Sequence, residues 1–448
     1  MSDINIQPTL SPSDEYTKKD DFELISLFLE SDSGGKVDLK PLYQNFTFVE
    51  DIDTTAISGS VLIKDGVDLL NTFPISGHES LHVEFRTPGI DSDPIKLKFY
   101  VAEVTDRVRS SNERGEVYRL RFVSPTVPIS KSKRISKSVK GKISDIAKNI
   151  YSEYIGGDLE AQSTKNEQKF VIPRWTPLKT LEWLALRAIP EKKNDETNYV
   201  FFETVDGHKF ITLSQLCSSE SMITYFQVPV GLRDEENADL SRDFTNVKNI
   251  TLIKNNQKLK EHMGGAFSSV LYQHDVTTKQ WGKKVYNYNK DTNVRYLTDN
   301  RVTKNDSIYT TSPDTSFNLT TKQTGLMGAN FPNVQNQEDW LQRVMSSRLL
   351  MDTIKIRISV SGNSLLRVGS VVEFFSPKAS PVDSADTEWY DSRLSGRFLI
   401  TTLRHTLTPD GYTNTLMLAK NSYEVPIADK STFMGTSDQS ESNMVEKR

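Results

Sequence analysis

The sequence predicts an α+β fold, mostly β, with two related antiparallel β-barrel domains and an inserted α/β domain. Three observations carry this reading. Short apolar runs with period-two alternation fill residues 22–130 and return from 354 to 419. Between them lies a stretch, 170–213, that reads as strand, helix and hairpin in succession. Finally, Ile57-Ser-Gly-Ser-Val-Leu-Ile and Leu394-Ser-Gly-Arg-Phe-Leu-Ile share the pattern aliphatic-Ser-Gly-x-apolar-Leu-Ile, as two domains of related build would.

In the first β region, Phe22–Leu29, Asn45–Glu50, Ser58–Ile63, Leu81–Phe85, Lys96–Val101 and Val117–Val123 are strand-like. Their spacing and the turn signals between them predict a small antiparallel barrel or sandwich, with Asp65-Gly66 to Phe73-Pro74 as a short helical insertion. Residues 131–142, KSKRISKSVKGK, hold six basic side chains and no acid, and read as a solvated connector. Ile143, Ile146, Ala147, Ile150, Tyr151, Tyr154 and Ile155 then recur at helical spacing until Gly156-Gly157 stops the helix.

In the middle stretch, Phe170-Val-Ile forms a strand that Pro173 ends, because proline has no N–H for a ladder. Thr176 offers an N-cap oxygen and Pro177 suits the first helical position. Leu178, Leu181, Ala185 and Ala188 share one helix face, and Pro190 closes the run. Tyr199-Val-Phe-Phe, the Asp206-Gly207 turn and Lys209-Phe-Ile-Thr-Leu make a hairpin. Further strands are read at Met222–Val228 and Val247–Ile253. Residues 263–335, rich in Asn, Thr, Tyr and Lys, read as an insertion packed on a neighbouring domain or as a glycan-binding face, and 339–351 as an amphipathic helix. Ile354–Val360, Gly369–Phe375, Gly396–His405 and Tyr412–Ala419 supply the second barrel. The boundaries that follow are 1–20 for a flexible N-terminus, 21–130 for the first barrel, 131–213 with about 263–335 for the α/β domain, 214–262 and 336–425 for the second barrel, and 426–448 for a polar tail.

At 448 residues with a formal charge of −4, the chain is long enough for several cores and has no global pull toward nucleic acid or anionic membrane. The single cysteine, Cys217, excludes an internal disulfide framework and reads as a core filler. No apolar run approaches the roughly 20 residues of a membrane span, and MSDINIQPTLSPSDEY has no signal-peptide apolar region, so assembly in the cytoplasm is expected.

Recognisable reaction chemistry is absent from the sequence. The histidines 78, 82, 208, 262, 274 and 405 have no metal-ligand spacing, and there is no GxSxG elbow, phosphate loop or paired-cysteine motif. His405, in an alternating strand, reads as a hydrogen-bonding group at a core edge or interface. DSADTEWYD at 383–391 lacks the glycine and terminal glutamate of a calcium loop and reads as a solvated acidic loop. No catalytic, cofactor-binding or metal-binding residue is therefore assigned.

The residues IPRWTPLKTLEWLALRA and NYVFFETVDGHKFITL resemble the middle domain of the baseplate hub protein of contractile-tailed bacteriophages. The first barrel, from Glu50-Asp51 to Pro74-Ile-Ser-Gly-His-Glu, and GRFLITTLRHTLTPDGYTNTLMLAKNSYE near the end are similar to the same family. A looser likeness extends to the hub part of type VI secretion spike proteins. The resemblance implies a non-enzymatic structural protein of the virion baseplate, without cofactor. It implies a homotrimer whose six barrels form a pseudo-sixfold ring, adapting a sixfold tail tube to a threefold cell-puncturing spike. The implied partners are the trimeric spike or tail lysozyme, the tube initiator and the tape-measure protein, with DNA in transit and no stable membrane insertion. Phe22, Leu24, Ser26 and Phe28 of one strand and Tyr412, Asn414, Leu416 and Leu418 of another become candidate partner contacts, with Val425 and Ile427 toward the spike. The alternatives are a receptor- or glycan-binding tail module and a cell-wall hydrolase.

Overall fold

The computed structural model describes residues 20–73, 75–88, 93–109, 115–165, 167–192, 196–227, 244–255, 257–292, 297–298, 307–322, 337–378 and 390–423. Val425, Ile427, the tail from 426, the N-terminal 1–19, and all of the acidic stretch 383–391 except Tyr390 and Asp391 lie outside them. The fold is α+β and mostly β.

The first β region supplies β1 (Glu23–Glu30), β2 (Lys36–Asp38), β3 (Tyr43–Asp51), β4 (Ser58–Asp65), β5 (Ser80–Arg86), β6 (Ile95–Arg109) and β7 (Glu116–Val123). The middle region supplies β8 (Ser138–Lys142), β9 (Glu160–Ala161), β10 (Glu167–Val171), β11 (Tyr199–Thr204) and β12 (Gly207–Thr212). After these come β13 (Ser221–Phe226), β14 (Asn249–Asn255), β15 (Ser268–Asp275), β16 (Trp281–Asn287), β17 (Phe317–Lys322), β18 (Ile354–Ser361), β19 (Val371–Phe375), β20 (Gly396–Thr408) and β21 (Gly411–Lys420).

Among the described residues, thirteen strands form one sheet, in the order β14-β18-β21-β20-β3-β4-β7-β6-β5-β1-β2, with β13 and β19 branching from β20. The path is open at β14 and β2, so the barrel closure expected for each half is not seen in the strand pairing of these residues. The halves are instead fused through β20, whose thirteen residues pair with β19 over Gly396–Leu399 and with β3 over Thr402–Leu407. A strand this long serves two cores. Phe398, Leu399, Ile400 and Leu403 fill the second, while Leu407, with Tyr412 of β21, fills the first.

The first core is aromatic, with Phe46, Phe48, Phe85, Phe99, Phe122 and Tyr118 nearly inaccessible. Ring pairs such as Phe46–Phe122, 5.1 Å between centroids, contribute beyond their buried area. The second core is aliphatic, built on Ile354, Ile356, Ile358, Leu416 and Leu418. A third lies in the α/β region, where the helices Ile143–Tyr154 and Pro177–Ala185 pack Ile146, Ile150, Leu181 and Leu184 against Phe170 and Phe201.

Local differences from the expectations have simple causes. The basic stretch 131–142 is structured: Ser138–Lys142 is a strand paired with β10, because Val139 lies opposite Phe170 and packs inward with it. Thr176 takes the extended backbone of an N-cap, but its side chain makes no capping bond; its carbonyl accepts from the Thr180 hydroxyl at 2.9 Å. Cys217 is fully buried beside Met351, Sγ to Sδ 3.9 Å.

Candidate functional site: a three-way junction

The hairpin β11–β12 sits where the three regions meet. Asp206-Gly207 turns it, with Gly207 at φ +125°, a conformation open to glycine without strain. All four residues Tyr199-Val-Phe-Phe are buried, yet successive strand residues point to opposite faces. Tyr199 and Phe201 enter the α/β core, while Val200 and Phe202 enter the second β core. An uninterrupted apolar run is the pattern of a strand covered on both faces.

Polar groups fix the hairpin to the first β region. The Glu203 carboxylate accepts from the Ser124 hydroxyl at 2.6 Å and from the Ile57 N–H at 2.8 Å. Burial outweighs these bonds and raises the Glu203 carboxyl to about 7. His208 Nε2 lies 2.9 Å from the Thr55 carbonyl, which can only accept, so Nε2 carries the proton and Nδ1 accepts from the Tyr151 hydroxyl at 3.1 Å. Burial lowers the His208 imidazole to about 4 and keeps it neutral. Toward the second β region, Asp206 takes a two-point contact from Arg367, 2.9 and 3.1 Å.

A second joint lies across β20 and β3. His405 stands opposite Phe48 in the register, and both are buried. Its Nδ1 meets the Tyr412 hydroxyl at 2.7 Å and the Asn414 amide nitrogen at 3.2 Å. Because the Asn363 N–H donates to Asn414 Oδ1, the amide nitrogen faces His405 and donates, so His405 Nε2 carries the proton toward Glu50 Oε1 at 3.3 Å. Glu50 also accepts from the Val368 N–H. One buried network thus links β3, β20, β21 and the loop between β18 and β19. Burial lowers the His405 pKa, with Glu50 pulling the other way.

The helix Gln337–Met351 forms a third contact. Arg343 reaches Glu196 at 3.5 Å, and Asn198 donates to the Ser347 hydroxyl at 2.8 Å. Its other side holds the three-stranded sheet β16-β15-β17 of the insert, where Gln342 donates to the Ser269 carbonyl at 3.0 Å.

The expected partner contacts divide by strand parity. Along β21, Tyr412, Asn414, Leu416 and Leu418 have no accessible surface, while Thr413, Thr415 and Met417 are half-exposed. The four named residues are thus occupied inside this chain, by the His405 network and the two cores. Phe22, just before β1, and Leu24 on it pack on the first core. A register shift between Leu24 and Ser26 reverses the phase, leaving Ser26 and Phe28 on the outer side and Leu27 and Leu29 inside. Phe28 stacks on His82, centroids 4.7 Å apart, beneath the Lys36 ammonium.

Ser124, His208 and Glu203 are the residue types of a hydrolase triad, but they are wired otherwise. Ser124 donates to Glu203, and both His208 nitrogens are taken by Tyr151 and Thr55, so no nucleophile meets a base. Among the described residues, no three His, Cys, Asp or Glu side chains are grouped to hold a metal ion, and no helix is long and apolar enough to cross a membrane. Sequence reasoning identified the hairpin but missed Glu203, Asp206 and His208 as its fastenings; the unbroken Tyr199–Phe202 run was the available signal.

These joints fasten the three regions of the chain to one another. No family model matches the chain. A curated protein of Vibrio phage KVP40, "Probable baseplate hub protein gp334", is 22% identical over 384 residues, covering 82% of this chain and 87% of that protein. The crystal structure of a tail protein from Neisseria meningitidis MC58 matches with a TM-score of 0.51 at 13% identity, covering 88% of this chain and 96% of that one. The 43 kDa tail protein of prophage MuSo2 from Shewanella oneidensis matches with a TM-score of 0.53 at 11% identity, covering 88% and 98%. The two structures share the fold. With the phage relative they bear out the resemblance to baseplate hub proteins, and with it a place in the virion, at the tail baseplate.

Proposed function

We propose that this chain is the structural, non-enzymatic hub of a contractile-tail baseplate. A homotrimer forms a pseudo-sixfold ring that adapts the sixfold tube to the threefold puncturing spike during envelope penetration. The supporting observation is the fusion of two sheet halves through the continuous strand β20, which holds two β units of one chain in fixed relation. Three such chains would offer six docking places. The spike or tail lysozyme, the tube initiator and the tape-measure protein are its partners, and DNA passes in transit. The proposed divisions are a first β domain at 21–130, a second at 214–262 and 336–425, and the α/β domain with its insert between them. Ser26 and Phe28 on the outer side of β1 are proposed contact positions, as are Val425 and Ile427 toward the spike. Light scattering on the eluting species, followed by electron microscopy of the ring, tests this. A chain that stays monomeric at micromolar concentration, alone and with the spike protein, would overturn it.

A second reading is favoured by the outer face of the insert sheet, where Trp281 stacks on His274 at 4.6 Å and Phe317 lies near Tyr272 at 5.6 Å. Exposed aromatic rings are the chemistry of a glycan-binding platform. A glycan array probed with the wild type and with Trp281→Ala decides it, and equal, background signals reject it.

A further inference from the structure

The insert sheet turns hydrogen-bonding groups inward and apolar groups out. Toward the helix Gln337–Met351, Gln273 donates to one Glu338 oxygen at 2.9 Å and Lys322 to the other at 2.7 Å, while the Ser269 carbonyl accepts from Gln342. Neighbouring residues along each strand point the opposite way. In the register, Trp281, His274 and Thr321 form one row of that outer face, Lys283, Tyr272 and Leu319 the next, and Val285, Val270 and Phe317 the third. Trp281, Val285, Phe317 and Leu319 are each between 49% and 64% exposed. A sheet covered on one side ordinarily hides its apolar face and wets its polar one. Here the order is reversed, and apolar side chains gathered on an open face mark an interaction site.

Charge decides between occupants. None of the nine outer positions is a carboxylate. Lys283 stands in the middle row with its ammonium 5.4 Å from the centre of the Tyr272 ring and, among the described residues, in no ion pair. Of the four carboxylates in 257–292 and 307–322, Glu261 is paired with Lys254, Asp275 and Asp291 accept backbone N–H groups, and Asp314 lies outside the three rows. A second copy docked face to face would therefore set Lys283 near Lys283 with no acid on either face to relieve them. The glycan reading above claims the same rings, but Val285, Val270 and Leu319 offer a sugar no hydrogen-bond partner, whereas a protein surface would bury them.

We propose that this face docks a different protein of the tail, whose contact patch is apolar and carries a carboxylate that pairs with Lys283. Trp281, Phe317, Leu319 and Val285 are the apolar anchors, and the Lys283 ion pair sets the orientation. The surface is additional to the contacts proposed on β1 and does not depend on the ring.

The test compares the isolated full-length chain with intact purified tails. Hydroxyl-radical oxidation of Trp281, read by mass spectrometry, is expected to be fast in the isolated chain and at least tenfold slower in tails. Tails are also treated with a water-soluble carbodiimide, which joins a lysine amine to a carboxylate in contact with it, and Lys322–Glu338 within the chain is the internal control. Lys283 is expected to be linked to an Asp or Glu of another tail protein. Equal oxidation of Trp281 in the two samples overturns the proposal. So does a Lys283 linked only within its own chain or to a second copy, or left unlinked while Lys322–Glu338 links. An unlinked Lys283 together with a Trp281-dependent signal on the glycan array returns the face to the glycan reading.

Discussion

The His405 imidazole lies flat on the Phe48 ring, centroids 4.2 Å apart and planes within 5°, across the strand pair that joins the two sheet halves. The stack fixes the ring plane, and the hydrogen bonds to Tyr412, Asn414 and Glu50 fix its rotation. A buried polar network at such a seam is costly when half satisfied, so it admits one register of β20 against β3 and penalises slippage.

Removing the Tyr412 hydroxyl should therefore destabilise the chain without opening a cavity. Tyr412→Phe is expected to cost about 1–3 kcal/mol, because Asn414 and His405 lose a shared partner in a fully buried site. Gly362→Ala attacks the same residue from outside. An added Cβ would stand 2.0 Å from the Tyr412 ring, so the ring must move, at about 1–3 kcal/mol or more. Urea midpoints at constant slope measure both; an unchanged midpoint for Gly362→Ala would mean the ring is not held as described.

The Glu203–His208 pair gives a pH dependence whose sign follows from the two shifts. The Glu203 carboxyl is raised from 4.5 to about 7, so the folded chain holds a proton that the unfolded chain has released between those values. Its contribution is full at low pH and is lost as pH rises through about 7. The His208 imidazole is lowered from 6.5 to about 4, so its contribution is present above 6.5 and is lost as pH falls toward 4. Between about 4.5 and 6.5 the two slopes oppose and nearly cancel; above 6.5 Glu203 acts alone. The melting temperature is expected to fall from pH 6.5 to 8 by the equivalent of less than about 1 kcal/mol, since most of the Glu203 contribution is already gone by pH 6.5. Glu203→Gln should remove that fall while leaving His208's acid limb. A Glu203→Gln profile parallel to the wild type would assign the slope elsewhere.

How much of this was legible in the sequence depends on how far apart the interacting residues lie. The hairpin could be read from Tyr199-Val-Phe-Phe and Asp206-Gly207, since turn chemistry and β propensity are local. An apolar run says that both faces are covered, but not that one face serves the α/β core and the other the second β core. His405 could be read as a hydrogen-bonding histidine in a strand; its partner Glu50 is 355 residues away, and no local pattern marks that pairing. The burial of the candidate contact residues on β21 was illegible for another reason. Alternation yields two sets of residues, and the sequence does not say which faces the core; the structure turns Tyr412, Asn414, Leu416 and Leu418 inward. On β1 the single bulge after Leu24 switches the sets midway, which periodicity cannot foresee.

The Arg367–Asp206 contact separates charge from hydrogen bonding. Asp206 is 57% exposed, so its attraction is screened by water, and Asp206→Asn should cost less than about 1 kcal/mol. Arg367 is mostly covered and also donates to the Ser364 and Leu366 carbonyls. Arg367→Ala leaves those acceptors without their donor and is expected to cost about 1–3 kcal/mol. Equal losses for the two variants, measured by urea denaturation, would show that the ion pair rather than the carbonyl bonds fastens the hairpin tip.

Cys217 provides a reporter of the same joint. It belongs to the second β core, next to Met351, and burial pushes its thiol up to about 12. A thiol both covered and protonated cannot attack, so the native chain should resist an aromatic disulfide reagent at pH 8. Val200 and Phe202 of the hairpin fill that same core. A large-to-small change there, Phe202→Ala, costs about 3–5 kcal/mol and weakens the cover over the sulfur. Labelling of Cys217 should therefore be slow in the wild type, governed by unfolding, and faster by orders of magnitude in Phe202→Ala. Prompt labelling of the native wild type would place Cys217 at a surface and overturn the packing of the hairpin against the second core.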